Sequence, residues 1–215
     1  MAKIPDKVVS RLTRYRSLLS EHFPKDKKNI FSHELANLMR LTPSQVRRDL
    51  MYTGYTGAPR YGYEVEELVK HISKVLDTGG GQNVALVGMG NLGRALISFL
   101  QGRRSFLQIK AAFDSDPQMV NRLFNGVYCH PMDQIDPVIS VESIRVAIIT
   151  VPGVAAQAVA EKLVHAGIKG ILNFAPVPLR VPVGVYLEEL DMTCSLEKVA
   201  YFTTHRAKGE RDTQP

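Results

Sequence analysis

The stretch NVALVGMGNLGRAL, residues 83–96, decides how the chain is read. An apolar run ends at Gly88, and Gly90 and Gly93 complete a GxGxxG spacing just where a helical pattern begins. The spacing alone is weak, but a strand before it and a helix after it give it physical content. Gly88 suits a tight turn, Gly90 lets backbone approach a pyrophosphate, and Gly93 lets helix pack on strand. Phosphate would rest on the helix N-terminus, where unpaired amides and the dipole favour an anion. The expected nucleotide contacts in this loop are Gly88, Met89, Gly90, Asn91, Leu92 and Gly93.

Downstream, AAFDSDP places Asp114 21 residues after Gly93, at the end of the next apolar run. A carboxylate there accepts from both ribose hydroxyls of an adenosine and repels a 2′-phosphate. No Lys or Arg follows at once, and Asp116 adds negative charge, so the pattern favours NAD(H) over NADP(H). A Rossmann-like domain for another nucleotide, such as coenzyme A, is the alternative. NVALVG, QIKAAFD, RVAIIT and GILNFA read as buried strands, with VPVGVYL as one more. LGRALISFL and GVAAQAVAEKLVHAG read as helices between them, an alternation that predicts an α/β, doubly wound parallel sheet.

Upstream the pattern is helical. Val8, Leu12, Tyr15 and Leu19 put one apolar face on a helix over Lys7–Phe23. Ser32 is a candidate cap for a second helix carrying Leu35, Leu38 and Met39. TPSQVRRDL, residues 42–50, then writes out a third: Thr42 to cap, Pro43 at the first helical position, Gln45 at capping-box distance. Val46 and Leu50 share its buried face while Arg47 and Arg48 point elsewhere. Three helices with a tight turn before the last match a helix-turn-helix. Gly54, Gly57, Gly62 and three tyrosines in TGYTGAPRYGYEV suit a hairpin wing, EVEELVKHISKVL a fourth helix, and DTGGGQ a linker.

Charge divides the same way. Residues 1–63 hold 12 Lys and Arg against 5 Asp and Glu, whereas the remainder holds 15 against 16. A basic module joined to a neutral one is the electrostatic footprint expected for nucleic acid. The two cysteines, Cys129 and Cys194, show no metal-ligand spacing, and neither a membrane-length apolar run nor a signal-peptide stretch occurs, so no metal and a cytoplasmic location are expected. His130 in YCHPMD is the best catalytic candidate by chemistry, but it has no partner in the pattern. The expected catalytic set is none. The alternative is a small NAD-dependent oxidoreductase with a basic, partner-binding N-terminus.

With both modules in view, the chain resembles the Rex redox-sensing transcriptional repressors over roughly Ile4–Phe202. The resemblance rests on SRLTRY, SQVRRDL, RYGYEV, VGMGNLG, FDSDP, TVP, AGIKGILNFAPV and LDMTCSLEKVAYF. It implies a homodimer that binds double-stranded DNA at an inverted-repeat operator and reads NADH against NAD+, with NADH causing release. It implies a winged helix-turn-helix domain over 1–78, a Rossmann domain over 79–190, an exchanged helix over 191–204 and a disordered tail over 205–215. Ser195–Phe202, with Leu196, Val199 and Ala200 as its apolar side, would be the exchanged segment. Ser44, Gln45, Arg47 and Arg48 would contact operator, with Arg60 on the wing; Pro152, Asn173, Phe174, Ala175 and Pro176 would surround the nicotinamide. Asp191 matches the acid of the family's redox switch. The chain departs from the family at Ser17, where Arg is common, at Phe99, where Tyr is usual, and at Arg60, displaced by one residue in the wing.

Overall fold

The computed structural model describes residues 4–24, 26–77, 82–100, 102 and 107–209, with no side-chain description for 205–209. The chain divides into two compact units, Met1–Gly80 and Gly81–Pro215. Most of the expected linker, residues 78–81, lies outside the described residues, as do 210–215 of the expected tail.

The first unit is built on helices α1 (Asp6–Ser17), α2 (Ser32–Met39), α3 (Pro43–Leu50) and α4 (Val65–Leu76). The four-and-three spacing of α1 does what it predicts, burying Val8, Leu12 and Tyr15 against Leu35, Val46, Leu50, Leu68 and Ile72. The helix does not stay regular to Phe23, because a π turn over Leu18–His22 follows it. Ser32 is not the cap of α2: Phe31 occupies that position, its N–H donating to Glu34 Oε2 at 2.9 Å, and Ser32 is the first helical residue. Arg40 ends α2 in the left-handed region (φ 54°), the tight turn that sends the chain into α3. Thr42 Oγ1 accepts from the Gln45 N–H at 3.2 Å, half of the expected capping box.

The wing is small. Strands β1 (Asn29–Ile30) and β2 (Tyr63–Glu64) pair antiparallel, and beyond them one bridge joins Ala58 and Gly62. Gly62 has φ +72°, and a Cβ there would stand 2.5 Å from the Ile30 carbonyl oxygen, so only glycine closes this turn. Tyr55 stacks on the His71 ring of α4, centroids 4.7 Å apart, and fixes the wing's base.

Two ion pairs tie these helices together. Arg16, 7% exposed, meets Asp77 at 2.6 Å just beyond the end of α4. Asp49, 1% exposed on α3, accepts Arg11 Nε and Nη2 at 2.6 and 2.7 Å and the Tyr15 hydroxyl at 2.8 Å. Burial alone would raise the Asp49 pKa, but the bonds from Arg11, Tyr15 and Gln45 outweigh it and hold the carboxyl below its usual range. Arg11→Met is expected to destabilise this unit by about 3 kcal/mol, since a buried carboxylate would lose its partly exposed counter-ion. The network's contribution is complete above an unfolded carboxyl pKa of about 3.9 and is lost as pH falls through the depressed folded value. Denaturant unfolding at pH 7 and pH 3 checks this: the variant should differ from wild type at pH 7 and approach it in acid.

Among the described residues the second unit is built on a seven-stranded sheet in the order β5-β6-β4-β3-β7-β8-β9. Its strands are β3 (Gln82–Val87), β4 (Leu107–Asp114), β5 (Arg122–Phe124), β6 (Val127–Pro131), β7 (Val146–Ile149), β8 (Gly170–Asn173) and β9 (Tyr186–Glu189). Every pair is parallel except β5 with β6. Alternation along β3 shows why both faces are covered. Ala85 and Val87 belong to a core with α6 (Ile135–Val141) and α7 (Gly153–His165), whereas Val84 and Leu86 face Ile97 of α5 (Asn91–Leu100). The β5–β6 hairpin was not anticipated, although Asn125-Gly126 between apolar residues is a two-residue turn signal. In VPVGVYL only Tyr186 and Leu187 are strand, because Pro182 and a left-handed Gly184 (φ +101°) delay pairing.

Helix α8 runs Met192–Gly209, five residues past the expected boundary at 204. Every residue from 192 to 204 is exposed, including Met192, Leu196, Val199, Tyr201 and Phe202.

Candidate nucleotide cleft and recognition helix

The carboxyl ends of β3, β4, β7 and β8 open on one cleft of about 830 Å³, the place where parallel sheets of this kind take ligands. The glycine loop forms its floor. The Gly88 N–H donates to the Phe113 carbonyl at 2.8 Å, and the Thr150 hydroxyl lies 3.0 and 2.8 Å from the Val87 and Gly88 carbonyls it can donate to. Gly88 has φ +103° and lies against the Thr150 backbone, and a Cβ on Gly93 would lie 1.9 Å from the Gly88 carbonyl. Both glycines are therefore demanded by the protein itself. Gly90 is different: nothing lies within 4 Å of a Cβ built there. Its lack of a side chain leaves space open toward the cleft.

Asp114 ends β4 in the same cleft. Oδ2 accepts from the Met89 N–H, and Oδ1 accepts from the Asp116 N–H at 2.8 Å. Two backbone donors thus set the carboxylate's direction and leave a lone pair on each oxygen for a diol. Ser115, Asp116, Met119 and Met132 line this end, and Thr150, Val151, Pro152, Phe174 and Pro176 line the β7–β8 end. Asn91 and Leu92 open α5, Asn91 Oδ1 accepting from Arg94 at 2.8 Å; the Met89 side chain is buried in the core.

Of the residues expected around a nicotinamide, Pro152, Phe174 and Pro176 line the cleft. Asn173 and Ala175 sit beneath it. Asn173, 1% exposed, donates Nδ2 to the Val177 carbonyl at 2.9 Å and accepts the Ala175 N–H at 3.0 Å, which shapes the 173–177 turn. His130 is not in the cleft. It packs at 5.7 Å from the Phe113 ring and 4.7 Å from the Tyr128 ring, and burial lowers its pKa. Thr150 and Lys162 of α7 line the cleft as well; in the sequence Thr150 is signalled by its place at the end of a parallel strand and Lys162 by nothing.

On the first unit, Ser44, Arg47, Arg48 and Arg60 are exposed and Gln45 is partly so. They are not equivalent. Arg47 donates Nη1 to Ser32 Oγ at 3.1 Å, and Gln45 donates Nε2 to Asp49 Oδ1 at 3.1 Å. Among the described residues Arg48 makes no such bond. Asp191 stands just before α8, where its carboxylate accepts from the Cys194 N–H at 2.9 Å and the Cys194 thiol at 3.2 Å. Those two bonds, the backbone one first, hold its pKa down.

A family model described as a putative DNA-binding protein N-terminus matches residues 3–50, and one described as a CoA binding domain matches 81–177. A redox-sensing transcriptional repressor Rex of Syntrophobacter fumaroxidans is 43% identical over 93% of this chain and 96% of its own. The chain belongs to the Rex family of redox-sensing transcriptional repressors. A Rex-family repressor named RSP superposes with a TM-score of 0.87 at 34% identity, covering 98% of this chain and all of its own. RSP has also been crystallised with NAD+ and operator DNA, and that structure matches at a TM-score of 0.86 and 33% identity over the whole of both chains. In this Rex chain the position expected to carry Arg is Ser17, the last residue of α1 before the π turn, and Phe99 lies exposed on α5.

Proposed function

We propose that this chain is a homodimeric repressor that holds an inverted-repeat operator until NADH fills the cleft of its second unit. The observation that carries this reading is the cleft, a glycine-loop site with an oriented carboxylate at one end and Phe174 with two prolines at the other. The apolar end suits a neutral dihydronicotinamide better than the NAD+ cation, because burying an unpaired charge there costs free energy. NADH and NAD+ are the two ligands, and the cytoplasm, where both meet the chromosome, is where they are read.

The dimer is supported by α8, whose exposed Leu196, Val199 and Phe202 need a cover. In a symmetric dimer two copies of α3 enter successive major grooves about 34–36 Å apart, which requires an inverted repeat. Linkage makes the coupling reciprocal: if NADH weakens DNA binding, DNA weakens NADH binding by the same factor, typically about 5–150-fold.

Selection from random duplexes, followed by titration with NADH, NAD+ and NADPH, tests the reading. An inverted repeat released by NADH at lower concentration than NAD+ is the expected result; no enrichment, or release indifferent to nicotinamide state, sinks it. In the same assay Asp114→Ala is expected to weaken NADH roughly 10–150-fold and to narrow its advantage over NADPH, as loss of hydrogen bonds to a charged group requires. An unchanged advantage would remove Asp114 from the ribose.

A further inference from the structure

Gln45 is expected to complete a capping box by reaching back to the start of α3, and it does not. Its side chain turns forward one helical turn to Asp49, Nε2 donating to Oδ1 at 3.1 Å. Asp49 cannot adapt to a different partner, because the Arg11 fork fixes both of its oxygens and the Tyr15 hydroxyl adds a third bond. An ionised carboxylate accepts hydrogen bonds and donates none. Flipping the Gln45 amide would set Oε1 against Asp49, acceptor facing acceptor. The orientation of this amide is therefore imposed by chemistry, and Oε1 takes no hydrogen bond among the described residues.

We propose that Asp49 is a positioning residue for sequence readout, locking Gln45 so that Oε1 is offered to an exocyclic amino group in the major groove. This rests on the reading of α3 as the helix that enters the groove. Adenine N6 and cytosine N4 are the amino donors there, whereas guanine O6 and thymine O4 are acceptors. A locked Gln45 pairs Oε1 with the first two, whereas guanine and thymine can take only its second Nε2 hydrogen and leave Oε1 unpaired against an acceptor edge. Adenine suits it best, since the second Nε2 hydrogen can donate to N7 in the bidentate pairing glutamine makes with that base. An unlocked glutamine could present either end and would discriminate less.

The experiment uses the full-length dimer and its selected operator, with bases replaced singly in each half-site by analogues lacking the amino group: purine for adenine, 2-pyrimidinone for cytosine. At one symmetric position, wild type should lose roughly 5–150-fold in affinity, while Gln45→Ala should lose nothing further there. Asp49→Asn, whose amide can face Gln45 with either end, should keep the operator's other preferences and lose this one. Should that variant fail to fold, the Gln45 side-chain amide resonances of wild type carry the test. One proton shifted downfield supports the lock; a pair typical of a free amide overturns it. Equal losses in wild type and Gln45→Ala at every position also overturn it. Arg48→Ala, measured alongside, separates the two readings. If it weakens operator binding, α3 is in the groove and a silent Gln45 defeats only this inference; if it does not, the groove reading falls and takes this inference with it.

Discussion

Replacing Arg47 and Arg48 together with alanine is expected to lower operator affinity by at least ~100-fold and to leave NADH affinity unchanged. A bidentate guanine contact is worth about 1–3 kcal/mol of discrimination, and in the proposed dimer the pair is lost in both half-sites. Both arginines are exposed on α3, so the loss is of interaction rather than of fold. Arg47 is held by Ser32 at the start of α2, which directs its guanidinium, and Arg48 carries no such restraint. The salt slope of binding should flatten by roughly 0.9 for each phosphate contact removed. Fluorescence anisotropy on the selected operator across salt concentrations, with NADH binding measured separately, checks the result. A parallel fall in both affinities would mean that α3 acts through stability and not through DNA.

Gly90→Ala is expected to produce the opposite phenotype, a repressor that binds operator and is released only at much higher NADH. The added methyl meets no protein atom within 4 Å, so the melting temperature should stay near that of wild type. It would instead occupy the space a pyrophosphate needs to reach the loop amides, and overpacking of this kind costs about 1–3 kcal/mol, or roughly 5–150-fold in affinity. Gly88→Ala and Gly93→Ala are poor substitutes, because at those positions the methyl collides with backbone and the fold fails together with the site. Calorimetric titration with NADH and a thermal melt, taken on one preparation, separate the two effects. Wild-type NADH affinity in Gly90→Ala would show that the phosphates do not approach this glycine.

The sequence was legible wherever a local pattern carries its own physical reason. The spacing of α1 named its buried face, Thr42 and Pro43 marked the start of α3, and the glycine loop located both the strand before it and the helix after it. Less was legible where a side chain's hydrogen-bond partner is chosen by the fold and not by spacing. Asp49 gave no sign of a network, since Arg11 lies 38 residues away and the pairing exists only once α1 packs on α3. The spacing of Gln45 fits a capping box, in which its Oε1 would accept from the Thr42 N–H, but the amide instead turns to donate Nε2 to a fixed carboxylate one turn on. Asn173, named by resemblance, also ties the 173–177 turn through hydrogen bonds to Val177 and Ala175, a role its spacing does not announce.

By itself the sequence determined two modules, a basic helical one and a neutral α/β one, together with the direction of most strands and the glycine loop between strand and helix. Periodicity, turn chemistry and charge are properties of neighbours along the chain, and they survive without a fold. The tertiary structure alone decided which glycine is spare, how Asp114 is aimed, and which end of the Gln45 amide is taken up by Asp49. Those outcomes follow from burial. A polar group taken from water must find its partner among whatever the fold brings near, and at Asp49 that requirement leaves one arrangement.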